Sequence, residues 1–132
     1  MSTEEEILDD SHVVAVVGAS SKAGRASNHV VSYLKKCGYK IIPVNPMEKK
    51  VQDEPCYPDL KSIPQKVDVV DIFRRSEEVA PIVEDAIKIG AKAVWMQEGV
   101  VNEEAADKAR KAGLKVVMDR CMAKEHLRLH AD

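Results

Sequence analysis

The sequence lacks the features on which several protein classes depend. Its three cysteines include no C-x-x-C pair, which argues against a disulfide framework and against a zinc knuckle. Its longest apolar run, Val13 to Val17, is far short of the roughly 20 residues of a membrane helix. The acidic start from Met1 to Asp10 does not resemble a signal peptide. We therefore expect a cytoplasmic protein without a membrane partner.

An excess of one charge is also lacking. The 132 residues include 20 Lys and Arg against 22 Asp and Glu, a formal net charge of −2. No global field attracts nucleic acid, so we expect no nucleic-acid partner. Hydrophobic residues make up 45% and charged residues 32%, a composition typical of globular proteins. The length predicts one domain over residues 1–132.

Apolar runs alternate with helical patterns along the chain. Strands are predicted at residues 13–17, 40–44, 67–73, 93–96 and 115–118, and helices at 27–37, 76–89, 102–112 and from 123 to the C-terminus. Ser76 and Asn102 are expected to cap their helices, and either Ser2 with Glu5 or Thr3 with Glu6 can form a capping box on one acidic turn. For residues 47–66 we predict a crossover loop with at most one helical turn.

Strands separated by helices indicate a parallel sheet with right-handed connections. We predict an α/β fold, a Rossmann-like doubly wound five-stranded parallel sheet with strand order 3-2-1-4-5. Pro43, inside the second strand, favours an edge-like position for that strand. A ligand is expected beyond the carboxyl ends of the strands, where the strand order reverses.

The loop from Gly18 to Arg25 (GASSKAGR) follows the first strand and opens the first helix. Small residues allow close approach of a diphosphate, and free amides with the helix dipole attract its charge. Lys22 and Arg25 add two cations. A tight turn with solvated basic residues is the alternative. The loop is neither G-x-G-x-x-G nor a P-loop.

Residues after the second and third strands suggest how a nucleotide is recognised. Asn45 stands where NAD-binding folds usually carry Asp or Glu, and Lys49 and Lys50 follow. This pattern favours a nucleotide with an extra ribose phosphate, CoA or NADP, unless the lysines are simply solvated. Phe73 and Arg74 offer stacking and cation–π contact to an adenine, although Phe73 is equally suited to the core.

Catalytic or metal-binding candidates are weak. Cys121 with His126 suggests a thiol–imidazole pair or a metal site, and His126 and His130 share a helical face. Chance pairs of this kind are common on polar helices, so we expect neither catalysis nor a metal. Cys37 is predicted to be inert packing, and Trp95 is predicted to pack inside the fourth strand.

Five segments in order resemble the small stand-alone CoA-binding proteins, which are similar to the N-terminal domain of the succinyl-CoA ligase α subunit. They are VVAVVGASSKAGRASNHVVSYL, GYKIIPVNP, VDVVDIFRRSEEV, GAKAVWMQEGVVNEEAA and AGLKVVMDRC. GASSKAGR alone also resembles the loop of short-chain dehydrogenases. That likeness ends there, because Lys22 replaces their middle glycine and the chain is about half the usual length.

The resemblance implies that coenzyme A is the ligand and assigns residues to its parts. The diphosphate would lie on Gly18, Ala19, Ser20, Ser21, Lys22 and Arg25. The adenosine would be flanked by Val44, Asn45, Pro46, Phe73 and Arg74, and the pantetheine by Gln97, Glu98 and Gly99.

The chain carries neither the phosphohistidine domain nor the ATP-grasp partner of that ligase. The resemblance therefore predicts binding of CoA or an acyl-CoA without catalysis of its own, with a CoA-dependent partner protein left open. The alternatives are an NADP-dependent minimal Rossmann oxidoreductase and a redox-sensing nucleotide module. The first lacks a substrate domain, and the second lacks a DNA-binding domain.

Overall fold

A computed structural model describes residues 2–130 as a parallel sheet between two helical layers. Strands β1–β5 are Val13–Val17, Lys40–Val44, Val69–Ile72, Ala93–Met96 and Lys115–Val117. Helices α1–α5 are Thr3–Asp10, Ala26–Lys36, Val79–Lys88, Glu103–Lys111 and Met122–His130. The predicted α/β class is confirmed. The five strands and helices α2–α5 differ from the predicted ranges only at their ends, whereas α1 is a helix where the sequence predicts only a capping box. The last two residues of the predicted terminal helix lie outside the described residues.

The sheet is buried on both faces, as the continuous apolar strands predict. In β1, Val14 and Val16 face a layer of α1, α2 and α5, whereas Ala15 and Val17 face α3 and α4. Two apolar clusters therefore form the core, one on each side of the sheet. The helices lie on both faces, so the fold is doubly wound.

The predicted strand order 3-2-1-4-5 is wrong. The observed order is β2-β1-β3-β4-β5, because β3 pairs with β1 from Val14↔Val69 to Val17↔Ile72 and β2 lies at the edge. The physical reason is Pro43, which has no N–H for a second ladder. On the outer side of β2, the Pro43 carbonyl accepts a hydrogen bond from Tyr57 N at 3.0 Å.

Two of the predicted helix starts are confirmed and one is wrong. Ser2 forms the capping box of α1, and the Asn102 side chain caps α4. Ser76 instead begins a three-residue 3-10 turn before α3. Its Oγ accepts from Val101 N at 3.0 Å, so it joins the loops after β3 and β4 rather than capping a helix.

The crossover from β2 to β3 contains more structure than predicted. The expected turn is present as a 3-10 helix, Leu60–Ser62, capped by the Asp59 side chain. In addition, Lys50–Val51 and Glu54–Pro55 form a small antiparallel hairpin. None of the helices within residues 2–130 is both long and apolar enough to cross a membrane.

Candidate functional site

The carboxyl ends of β1 and β3 form the switch point of the sheet. From β1 the chain leads through α2 to β2 on one side, and from β3 it leads through α3 to β4 on the other. The strand ends are joined by Phe73 N donating to Val17 O at 2.8 Å. Connections that part in opposite directions leave a crevice, which is where such sheets bind ligands.

Gly18 lies at the floor of this crevice and cannot carry a side chain. Its φ is +87°, and a Cβ built there would be 2.3 Å from Phe73 O and 3.1 Å from Arg74 Cδ. Only glycine tolerates both the left-handed backbone and this approach. The loops after β1 and β3 therefore touch at Gly18.

The loop after Gly18 is braced by side chains of its own chain. Ser20 N donates to Ser27 Oγ, and Lys22 N donates to Ser20 Oγ, each at 3.1 Å. Ser21 donates to the Glu48 carboxylate through its N–H at 2.9 Å and its hydroxyl at 2.8 Å. These bonds lower the pKa of Glu48. Three amides predicted to be free for a diphosphate are thus already bonded.

A pocket of about 350 Å³, the small pocket, lies where α2 begins. It is lined by Gly18, Ser20, Arg25, Ala26, Ser27, Asn45 and Phe73. The first turn of α2 has no acidic residue, and the Arg25 side chain at its N-cap makes no capping hydrogen bond. The positive end of the helix dipole and a guanidinium therefore face the same space, which suits an anion.

Asn45 connects two of the loops around the small pocket. Its Nδ2 donates to Ala19 O at 2.8 Å, and its Oδ1 accepts from Met47 N at 2.9 Å. The side chain thus holds the loop after β2 against the loop after β1. Lys49 and Lys50, which follow, are exposed, and their contact with a ribose phosphate stays a prediction.

A second depression, the larger cleft, lies on the α3 side of Gly18 and has a volume of about 470 Å³. Its apolar surface comes from Val17, Val44, Pro46, Pro58, Leu60, Pro81 and Ile82, and its charged groups are Asp59, Arg74, Glu77, Glu78 and Asp85. An apolar floor with a few polar groups at its rim is typical of small-molecule sites. The cleft and the small pocket share Gly18.

Arg74 is ion-paired within the larger cleft. Its guanidinium donates to Glu78 Oε2, and Arg75 Nε donates to the other carboxylate oxygen at 2.9 Å. The hydrogen bonds from Arg74 and Arg75 lower the pKa of Glu78 to about 2. Phe73 lines the small pocket and packs against the α2 layer. Phe73 and Arg74 therefore line different depressions on the two sides of Gly18, and their joint contact with an adenine stays a prediction.

The loop after β4 is tied to its own neighbours. Gln97 is buried, and its Oε1 accepts from Met122 N at 3.1 Å, at the start of α5. Gly99 N donates to Asp119 Oδ1 at 2.7 Å. Asp119 adopts a φ of 58°, so the loop after β5 is shaped to make this contact.

Glu98 is exposed and accepts from Lys124 Nζ at 3.0 Å. Together with Gln97 and Gly99 it lies at the same edge of the sheet as Gly18, two strands from β1. None of these three residues lines the small pocket or the larger cleft. Ala19, Ser21 and Lys22 also lie outside both linings, so the structure brings together only part of the predicted set.

The cysteine and histidine pattern differs from the expectation. Cys121 is buried, and His126 contacts Cys37 instead, with Sγ 3.6 Å from Nδ1. The same nitrogen lies 2.9 Å from Tyr33 Oη. Cys37 is exposed, so its prediction as core packing is wrong. Burial, followed by the charge of His130, lowers the pKa of His126.

Asp71 is a residue whose importance the sequence reasoning missed. It is fully buried in β3 between Val16 and Trp95, and neither carboxylate oxygen has a hydrogen-bond partner among the described residues. Burial raises its pKa well above 3.8. The available signal was the second of two acids in the run VDVVDIF, which lies between Val70 and Ile72 inside the strand. Trp95 is buried as predicted, with Nε1 donating to Arg120 O at 2.9 Å.

Glu48, Pro58, Leu60 and Ile82 were also missed. They come from the crossover and from α3, and no local pattern marks them. The crossover brings Glu48, Pro58 and Leu60 over the end of β2, and α3 brings Ile82 to the larger cleft. Sequence spacing reveals neither arrangement.

Comparison with known proteins relates this geometry to one family. A family model described as a CoA binding domain matches residues 12–127. The Bacillus subtilis protein YneT is 38% identical over 122 residues, which are 92% of this chain and 90% of YneT. A solved structure of a hypothetical protein from Pyrococcus horikoshii is 44% identical with a TM-score of 0.94, covering 98% of this chain and 92% of that one.

Larger enzymes contain a similar segment. The ADP-forming acetate–CoA ligase I of Archaeoglobus fulgidus is 28% identical over 120 residues, which are 83% of this chain. The match spans only 18% of that ligase. The likeness therefore concerns one part of a much longer protein.

Proposed function

The chain belongs to the CoA binding domain family, and on that basis we propose that it binds coenzyme A at the carboxyl edge of its sheet. The observation that carries this proposal is the meeting of two unlike depressions at Gly18. The small pocket offers Arg25 and the first turn of α2 to an anion, and the larger cleft offers an apolar floor to a flat ring. CoA contains both a diphosphate and an adenine, so one molecule can occupy both.

In this arrangement the diphosphate lies in the small pocket, against Gly18, Ser20 and Arg25. The brace between Ser21 and Glu48 keeps the loop in shape without touching the ligand. The adenosine lies in the larger cleft beside Val44, Pro46 and Arg74, with Asn45 and Phe73 between the two depressions. The pantetheine arm follows the edge of the sheet towards Gln97, Glu98 and Gly99.

The proposal does not include a chemical step. The thiol–imidazole contact between Cys37 and His126 lies where α2 ends, whereas the small pocket lies where α2 begins. A catalytic pair must reach the reacting atoms of its substrate, and an 11-residue helix separates this pair from the small pocket. We infer that the chain presents CoA or an acyl-CoA rather than converting it.

Thermal unfolding in the presence of nucleotides tests the proposal. A ligand at one hundred times its Kd stabilises the native state by about 2.7 kcal/mol, which raises the Tm of a domain of this size by about 5–15 °C. CoA should give such a shift, NADP a smaller one and NAD almost none. A shift with NAD alone, or turnover of an acyl-CoA thioester, contradicts the proposal.

A charge-removing variant tests the small pocket. Arg25→Ala should weaken CoA binding about tenfold in a calorimetric titration, because it removes a charge-assisted contact with phosphate. Lys111→Ala is the matched control, since Lys111 is an exposed cation in the last turn of α4. Equal affinity in Arg25→Ala and the wild type would exclude the small pocket as the diphosphate site.

A further inference from the structure

The two depressions that meet at Gly18 have opposite charge. Among the described residues, the larger cleft is lined by one cation, Arg74, and by four carboxylates, Asp59, Glu77, Glu78 and Asp85. The small pocket is lined by Arg25 without any carboxylate. A cleft rimmed by acids repels a phosphate unless a cation is available to it.

Arg74 is held away from such a role by Glu78. Its aliphatic part packs over Gly18, where Cδ is 3.1 Å from the position of a Cβ, and its guanidinium is bonded to Glu78. Arg75 Nε donates to the second carboxylate oxygen of Glu78 at 2.9 Å. One carboxylate therefore holds two guanidinium groups, and its low pKa keeps it ionised at neutral pH.

This arrangement has different consequences for the binding of a phosphate group and of a purine ring. A phosphate in the larger cleft would have to compete with Glu78 for the donors of Arg74. It would also lie close to Asp59, Glu77 and Asp85, although Glu77 and Asp85 have long ion pairs of their own, with Arg75 at 3.7 Å and Lys61 at 3.5 Å. A neutral purine ring needs only the apolar floor and the flat face of the guanidinium, which stacks on aromatic rings. The cleft thus suits the ring and disfavours the anion.

We infer that Glu78 is a specificity-determining residue, which holds Arg74 away from phosphate groups and so reserves the larger cleft for an uncharged purine ring. This inference rests on the proposed function, because it assigns selectivity within the same CoA site. It also gives the small pocket, which lies on the other side of Gly18 and contains Arg25, a separate role as the site for phosphate.

The test is a double-mutant cycle with Glu78→Gln and Arg74→Ala, measured by calorimetric titration with CoA at several salt concentrations. Glu78→Gln should bind CoA about tenfold more tightly, because the released Arg74 can reach a phosphate beside Gly18. The gain should shrink as salt is raised and be absent in the Arg74→Ala background. Adenosine, the phosphate-free probe, should bind Glu78→Gln and the wild type equally.

Glu84→Gln is the matched control, because Glu84 in α3 is ion-paired with Lys108 of α4 at 2.7 Å and lies outside the larger cleft. It should leave the affinity unchanged. If the wild type binds CoA but Glu78→Gln is unchanged or weaker, or if its gain persists without Arg74, the inference is wrong. If the wild type does not bind CoA, the proposed function fails and the selectivity of Glu78 fails with it.

Discussion

The loops at the two halves of the carboxyl edge use their polar groups in opposite ways. Around Gly18, the Arg25 side chain lines the small pocket and has no hydrogen-bond or ion-pair partner among the described residues. Around Gly99, the Gln97 amide caps α5 and the Gly99 amide bonds to Asp119. Position at the carboxyl edge therefore does not by itself leave a polar group available to a ligand. We infer that the first region, with its available cation, binds the charged part of the ligand, whereas the bonded groups of the second region shape the edge along which the pantetheine arm runs.

The largest expected effect comes from adding a side chain at Gly18, in the first region. In Gly18→Ala, the new Cβ would lie 2.3 Å from Phe73 O at a φ of +87°. Clash and backbone strain together should lower the free energy of unfolding by about 3 kcal/mol, measured by urea denaturation. CoA binding should weaken at the same time, because the two depressions meet at Gly18.

Gly24→Ala is the control in the same loop, since a Cβ there has no neighbour within 4 Å and its φ is not in the left-handed region. It should be neutral or slightly stabilising. A similar loss of stability and affinity in both variants would mean that the loop needs flexibility in general rather than the close approach at Gly18.

The second prediction concerns Asp71, on the strand between the two regions. Its folded pKa is raised by burial above the ordinary 3.8, so unfolding releases a proton at every pH between these two values. The wild type should therefore lose about 1.4 kcal/mol of stability per pH unit in that window, as pH rises. Asp71→Asn should abolish this slope. The difference in unfolding free energy between Asp71→Asn and the wild type should therefore shift in favour of the variant from pH 4 to pH 7.

Asp68→Asn is the control, because the pKa of Asp68 is shifted in the opposite direction to that of Asp71. Burial alone would raise the pKa of Asp68, but hydrogen bonds from the amides of Val13 and His12, with the charge of Lys92, lower it overall. The stability that Asp68 contributes is present above the ordinary aspartate pKa and is lost as pH falls through the lowered one. An unchanged slope in Asp71→Asn would show that Asp71 is ionised in the folded protein.

Much of this fold could be predicted because most strands are short apolar runs rich in β-branched residues and several helices have end signals of their own, such as the Asn102 cap of α4. The strand order could not be derived from alternation alone, since 3-2-1-4-5 and 2-1-3-4-5 use the same elements. Pro43 contained the missing information, because a residue without an N–H belongs at an edge.

The residues of the candidate site were predictable where they lie in a loop that follows a strand, as Gly18 and Arg74 do. That rule treats all loops at the carboxyl edge alike, so it also selected Gln97 and Gly99, whose polar groups bond within the chain. Partners such as Glu48 and Glu78 depend on tertiary contacts. The sequence indicates which edge binds, whereas side-chain pairing decides which residues of that edge are available.

The smallest expected effect tests the supporting region. Gln97→Ala removes the acceptor for Met122 N at the start of α5, which should cost about 1–2 kcal/mol of unfolding free energy, as for other lost caps. CoA affinity should change less than twofold, because the amide is occupied within the chain. Glu98→Gln, which alters only an exposed pair with Lys124, should change stability by less than about 1 kcal/mol. A tenfold loss of CoA affinity in Gln97→Ala at unchanged stability would reverse the comparison, since the amide would then serve the pantetheine arm rather than α5.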